Sequence, residues 1–193
     1  MGNEGAGSQT NGPWVRRSRA VAYENPWITV FHDEVTRPDG QPGIYGVVHF
    51  HTRAVGVVAF DDRDRVLLVG QHRYTLDRYS WEIPEGGSGL DEDPLVGAKR
   101  ELAEETGFHG GTWRELIRFS ESNSVTDEEG VFFVATELEP GTSSPDGTED
   151  LQLRWMAFSE ALGLIDSGEI HDVMTQIALL AVARERAEAG GGR

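Results

Sequence analysis

Residues 86 to 108 read GGSGLDEDPLVGAKRELAEETGF and place three carboxylates on one side of a short helix whose two ends are both marked. Asp93 is a good N-cap, Pro94 suits the first helical position, and Gly107 suits the stop just past the last turn. The spacing therefore predicts a helix over Pro94 to Thr106. Glu104 and Glu105 lie three and four positions after Glu101 and flank its axial line, while Leu95 and Leu102 point to the other side, toward a core. Like charges at this spacing cost a few tenths of a kcal/mol each, and anions in a last turn oppose the helix dipole by about 0.3 to 1 kcal/mol. A bound divalent cation reverses both penalties. The glycines at 86, 87 and 89 let the preceding loop pass close to this helix and to phosphates.

The same segment satisfies the pattern G-x(5)-E-x(7)-R-E-U-x-E-E-x-G-U, with U apolar, through Gly86, Glu92, Arg100, Glu101, Leu102, Glu104, Glu105, Gly107 and Phe108. Seven fixed positions at about 5 to 7 % usage each match by chance in on the order of one window in 10⁸. A merely solvated helix face, the ordinary reading of such a charge run, is set aside on that ground. The chain resembles the Nudix hydrolases. The resemblance covers roughly Ala54 to Leu180 and implies an α/β fold, the Nudix α/β/α sandwich with a mixed sheet.

Charge and composition agree with a metal enzyme and exclude other classes. Seventeen basic against 33 acidic residues give a formal net charge of −16, which disfavours binding to nucleic acid or to an anionic membrane surface. With no cysteine in the sequence, disulfides, thiolate nucleophiles and Cys-ligated zinc are excluded. Residues 1 to 13 hold no apolar signal-peptide core, Ala6 stands where a myristoylation motif wants Ser or Thr, and no run approaches a membrane span. A cytoplasmic protein is expected.

Along the chain, Trp27 to Glu34 and Ile44 to His51 flank RPDGQPG and read as an N-terminal β-hairpin. Strands are expected at Ala54 to Phe60, Val66 to Val69, Trp81 to Ile83, Trp113 to Phe119, Val131 to Thr136 and Leu151 to Phe158, with GGSG as a loop. Two helices close the chain: one capped by Ser159 and ending near Gly168, and one capped by Asp172 with Val173, Ile177 and Leu180 sharing a face. The expected organisation is a disordered tail over 1–13, a β-hairpin region over 14–52, a Nudix domain over 53–185 and a flexible tail over 186–193. The hairpin looks like the small N-terminal sheet of ADP-ribose and nucleotide-sugar pyrophosphatases.

Cleaving a pyrophosphate requires neutralised phosphate charge and a nucleophilic water, work that carboxylate-held hard cations perform. The resemblance implies Mg²⁺ or Mn²⁺ held by Glu101, Glu104, Glu105 and the backbone carbonyl of Glu85. It gives Glu92 and Arg100 a structural role, holding the loop to the helix through an ion pair, beside Gly86 and Gly107. Arg73, in QHRY, matches an arginine that contacts substrate phosphate or sugar, and Glu128, in SNSVTDE, matches a substrate-loop acid. The general base in ADP-ribose pyrophosphatases comes from a late loop, where this chain carries Asp146, Glu149 and Asp150; Glu149 is favoured, the alternatives being that metal coordination alone activates the water or that a box glutamate such as Glu104 accepts the proton. His49 and His51 share a strand face with no third metal ligand in register, and Trp27, Phe31 and Tyr45 read better as packing than as base-stacking groups.

The expected substrate is a small nucleotide, ADP-ribose or a related nucleoside diphosphate sugar. Asn123 stands where enzymes favouring ADP-ribose typically carry proline. The alternatives are a Nudix nucleotidase acting on dinucleoside polyphosphates or modified nucleoside triphosphates, and a non-catalytic ADP-ribose sensor. Trp27, Ile28, Val30, Ile44 and Val47 on the hairpin lead to the expectation of a homodimer.

Overall fold

A computed structural model describes residues 9–144 and 151–191. They fall into two compact units, one containing the chain through Thr52 together with Ser120–Glu129, the other containing Arg53–Phe119 and the chain from Gly130 onward.

The first unit is a four-stranded antiparallel sheet of β1 (Gln9–Asn11), β2 (Trp14–Glu24), β3 (Ile28–Thr36) and β4 (Pro42–Phe50), in that order. The expected hairpin is β3 and β4, in register from Ile28 opposite Phe50 to Thr36 opposite Pro42. β2 was not foreseen: its eleven residues include Arg16, Arg17, Ser18 and Arg19, so its polarity hides the strand period, and two register shifts against β3 break that period further. β1 pairs with β2 inside the stretch expected to be a disordered tail. The segment from Ser122 lies along β4, where Val48 N–H donates to the Val125 carbonyl and the Tyr45 hydroxyl to that of Ser124.

In the second unit, β5 (Thr52–Ala59), β8 (Glu85–Gly89), β9 (Phe108–Ser120) and β10 (Glu129–Pro140) form a mixed sheet in the order β8-β5-β10-β9, with β5 and β10 parallel. β6 (Arg65–Arg73), β7 (Arg78–Glu82) and β11 (Gln152–Ala157) form a second, antiparallel sheet. Strand alternation divides the core in two. Val55, Val57, Ala59, Val131 and Phe133 face α1 (Pro94–Thr106) through Ala98 and Leu102. Val58, Phe132 and Val134 face α2 (Phe158–Ser167) and α3 (Val173–Gly190) through Ala161, Ala178, Leu179 and Val182. Helices cover both sides of the strands, as expected for an α/β/α sandwich.

Four local expectations are corrected. The GGSG stretch is not a free loop but part of edge strand β8. The cap of α2 is Ala157, without a side-chain bond, because Ser159 is already inside the helix. In α3, Asp172 caps as expected, but Val173 and Leu180 face outward, and the buried side is Thr175, Ala178, Leu179, Ala181 and Val182. The Thr175 hydroxyl accepts the Ile83 N–H at 3.0 Å, and that buried bond sets the rotation of the helix. Finally, α3 continues to Gly190, into the segment expected to be a flexible tail.

Candidate active site

The acidic helix is delimited as its sequence predicts. Asp93 accepts the Leu95 N–H at 2.9 Å, and Gly107 adopts a left-handed conformation, φ 75°, that a side chain would strain. Its link to β8 runs through several contacts. Glu92 accepts the Ser88 hydroxyl at 3.0 Å, the Gly89 N–H at 3.2 Å and Arg100 at 3.4 Å, and these bonds, led by that of Ser88, lower its carboxyl pKa. A Cβ on Gly97 would stand 2.5 Å from that of Ser88, so the helix approaches the strand where it has no side chain. Arg100 also reaches the Gly87 carbonyl at 2.8 Å. The expected Glu92–Arg100 pair is therefore the longest of several contacts joining strand and helix.

Arg100 changes the charge balance foreseen for the three glutamates. Its guanidinium lies 2.7 Å from Glu101 and 3.1 Å from Glu104, supplying one positive charge to a face expected to be wholly repulsive. Glu105 is 4 % exposed and accepts the Glu85 N–H at 3.2 Å. Glu101 is mostly buried, and burial raises its carboxyl pKa despite Arg100. Its side chain packs on Gly86 so closely that a Cβ there would come within 2.9 Å of the Glu101 Cγ and nearer still to the carboxylate. Glu104 is the exposed member. Glu101 and Glu105 both lie against the β8 backbone, and carboxylate oxygens of this kind suit a hard divalent cation.

Arg73 ends β6 and is committed to two carboxylates: its Nε lies 3.0 Å from both oxygens of Glu82, and its Nη2 lies 2.9 Å from Glu85 Oε1. Glu82 is buried on β7. Burial, reinforced by Asp172 and Glu82, pushes the Glu85 carboxyl well above the ordinary range. Oxygens of Glu82, Glu85 and Asp172 all lie within 4.8 Å of one another. Sequence reading passed over Glu82 and took Asp172 only as a cap. A usable signal was present, because a Glu between Trp81 and Ile83 in a buried strand demands a partner.

Glu128 belongs to the first unit. Burial, then the nearby charges of Glu121 and Asp127, push its carboxyl up to about 7. That unit also holds a cavity of about 390 Å³ lined by Trp14, Arg16, Arg19, Tyr45, Asn123 and Asp127, among others. Trp14 and Tyr45 meet edge to face, and Arg19 makes a two-pronged pair with Asp33 at 2.7 Å. His49 bonds Asp127, while His51 bonds Thr29 and the Pro26 carbonyl. Asp146, Glu149 and Asp150 lie outside the described residues.

The NUDIX domain family matches residues 50–176, and the nucleoside diphosphate sugar hydrolase N-terminal domain matches residues 14–48. Among relatives, a CMP-5'-(N-acetyl-N-hydroxy-3-aminopropyl)phosphonate hydrolase of Streptomyces rubellomurinus is 33 % identical over 88 % of this chain and 82 % of its own. An ADP-ribose pyrophosphatase of Mycobacterium tuberculosis is 34 % identical over 78 % of this chain and 73 % of its own. A crystal structure of an ADP compounds hydrolase superposes with a TM-score of 0.83 at 22 % identity, covering 96 % of this chain and 100 % of that one, a likeness of fold.

Proposed function

This chain belongs to the Nudix hydrolase family, and from that premise we propose that it hydrolyses the pyrophosphate bond of ADP-ribose or a related nucleoside diphosphate sugar. The products are a nucleoside monophosphate and a sugar phosphate. The observation that carries the reading is a Nudix box with Glu101 seated on Gly86, preceded in the same chain by a segment matching the nucleoside diphosphate sugar hydrolase N-terminal domain. Relatives named for ADP-ribose and for a CMP conjugate differ in base and share a nucleotide.

Glu101, Glu104 and Glu105, with the Glu85 carbonyl, would hold Mg²⁺ or Mn²⁺. When bound, such a cation neutralises phosphate charge and makes water easier to deprotonate. Arg73, oriented by Glu82 and Glu85, turns the rest of its guanidinium fork to a substrate phosphate. Glu149 takes the proton from the attacking water as its oxygen bonds to one phosphorus and the bridging oxygen departs with the other. Support comes from the chain just before it: the Ser144 N–H donates to the Glu104 carbonyl at 2.9 Å, so the strand exit is tied to the last turn of α1.

The homodimer is proposed through the first unit, where Trp27, just before β3, and Ile44, on β4, stand 71 % and 66 % exposed. No helix among the described residues is long and apolar enough to cross a membrane, and cytoplasmic placement is part of the same proposal.

The test is a panel of ADP-ribose, other nucleoside diphosphate sugars, CMP conjugates, dinucleoside polyphosphates and nucleoside triphosphates, with products resolved by mass spectrometry in Mg²⁺ and in Mn²⁺. Nucleoside monophosphate plus sugar phosphate is the expected outcome. Turnover confined to polyphosphates, or tight ADP-ribose binding without products, would overturn it.

A further inference from the structure

Three carboxylates meet beside the box glutamates, each delivered by a different element. Glu82 ends β7, Glu85 begins β8, and Asp172 caps α3, which the buried Thr175–Ile83 bond holds against the end of β7. Their oxygens lie within 4.8 Å of one another. Arg73 reaches Glu82 and Glu85 and supplies one positive charge; three carboxylates less one guanidinium leave two negative charges uncompensated within this group.

A second observation is independent of that proximity. The Glu85 side chain is only 9 % exposed, and while its Oε1 accepts from Arg73 at 2.9 Å, its Oε2 is buried with no hydrogen-bond partner. An orphaned carboxylate oxygen is costly unless something positive meets it. Asp172 Oδ2 accepts the Thr175 N–H at 2.6 Å, which fixes that carboxylate in place.

We propose that the side chains of Glu82, Glu85 and Asp172 bind a divalent cation, separately from the cation assigned to Glu101 and Glu105. The donors are hard oxygens, so the ligand class is Mg²⁺, Mn²⁺ or Ca²⁺ rather than a soft metal. The charge count favours a divalent ion, which brings the group to neutrality with Arg73 in place. The cation fixes the Arg73 fork from behind by holding both of its carboxylate partners. The inference does not depend on which anhydride is cleaved.

The test counts Mn²⁺ bound to the full chain without substrate, by the loss of the free-ion paramagnetic resonance signal, for wild type, Glu85→Gln, Asp172→Asn and the Glu101→Gln/Glu105→Gln pair. Asn keeps the cap of α3, and circular dichroism confirms that each variant is folded. Two ions per wild-type chain are expected, falling to one in Glu85→Gln and in Asp172→Asn, with one retained in the Glu101/Glu105 double variant. If the box glutamates bind no metal, wild type holds one ion that Glu85→Gln removes, and the inference stands while the box assignment falls. If Glu85→Gln and Asp172→Asn both bind as many ions as wild type, the inference is overturned and a shared proton accounts for the buried oxygen.

Discussion

Gly86 and Glu101 touch where β8 passes over the acidic helix, so closely that residue 86 has room for a hydrogen and nothing larger. The contact explains why the glycine-rich stretch and the helix act as one unit. A backbone without a side chain lets a mostly buried carboxylate lie flat against it, and Arg100 clamps the other side by reaching Gly87 and Glu101 together.

Gly86→Ala is expected to push Glu101 out of place and to lower turnover by about 10²-fold or more, because displacements of about 1 Å at a reacting centre cost that much. Gly163→Ala is the control: a Cβ there, at an exposed position of α2, meets nothing within 4 Å, so it should leave kcat unchanged and stabilise by about 0.5 to 1 kcal/mol. Steady-state kinetics and thermal melts of the two variants check the pair.

Glu105→Gln keeps an acceptor for the Glu85 N–H but removes the charge proposed to hold the cation. Turnover should fall by more than about 10²-fold at saturating Mg²⁺, with the metal-free Tm little changed. Metal binding to the folded state alone stabilises by about 2.7 kcal/mol at a hundred times Kd, so Mn²⁺ should raise the wild-type Tm, EDTA should abolish the rise, and the variant should show a smaller one. Scanning calorimetry with and without Mn²⁺ measures all three.

Glu128 carries the clearest pH signature. Its carboxyl is raised from 4.5 to about 7 by half-burial and by Glu121 and Asp127, so between those values the folded state binds more protons than the unfolded one. Stability attributable to this group therefore falls as pH rises from about 4.5 through about 7. Glu128→Gln, which mimics the protonated form, should melt near wild type at about pH 5 and above it at about pH 8. Equal melting temperatures across the range would show that the group is not raised.

Wild type should sediment as a dimer, and Trp27→Asp combined with Ile44→Asp as a monomer, because charge on these exposed apolar positions opposes burial across a two-fold interface. Analytical ultracentrifugation at several concentrations decides it. A wild-type monomer with full activity counts against the assembly.

The sequence announced what is local. Asp93, Pro94 and Gly107 gave the bounds of α1, and the alternating Val and Phe of β5 and β10 gave the two-sided core, because caps and strand period are written within a few residues of one another. What needed the fold was long-range. β2 hid behind its arginines, which find Asp33 and Thr36 only across the sheet. Asp172 looked like a cap because its meeting with Glu82 and Glu85 depends on the buried Thr175–Ile83 bond, 92 residues apart in sequence. Arg73 stood out within QHRY but its two partners did not, since Glu82 and Glu85 lie nine and twelve residues away on other strands.

The general base is the assignment that chain connectivity bears on most. Ser144 is tied to the Glu104 carbonyl at 2.9 Å, and a Cβ on Gly107 would stand 2.8 Å from the Ser143 nitrogen, so the chain leaves β10 over the C-terminal turn that carries the acids. Glu149 follows five residues after Ser144. If it removes the proton from the attacking water, Glu149→Gln should depress kcat by about 10²-fold or more with KM and Mn²⁺ affinity little changed, since base catalysis contributes about 10² to 10⁴. Asp146→Asn and Asp150→Asn should be milder. The competing base is Glu104, which is exposed and bonded to Arg100 at 3.1 Å. Pre-steady-state kinetics separate the two: a collapse in Glu104→Gln at unchanged Mn²⁺ affinity, with Glu149→Gln within a few-fold of wild type, would move the base onto the helix.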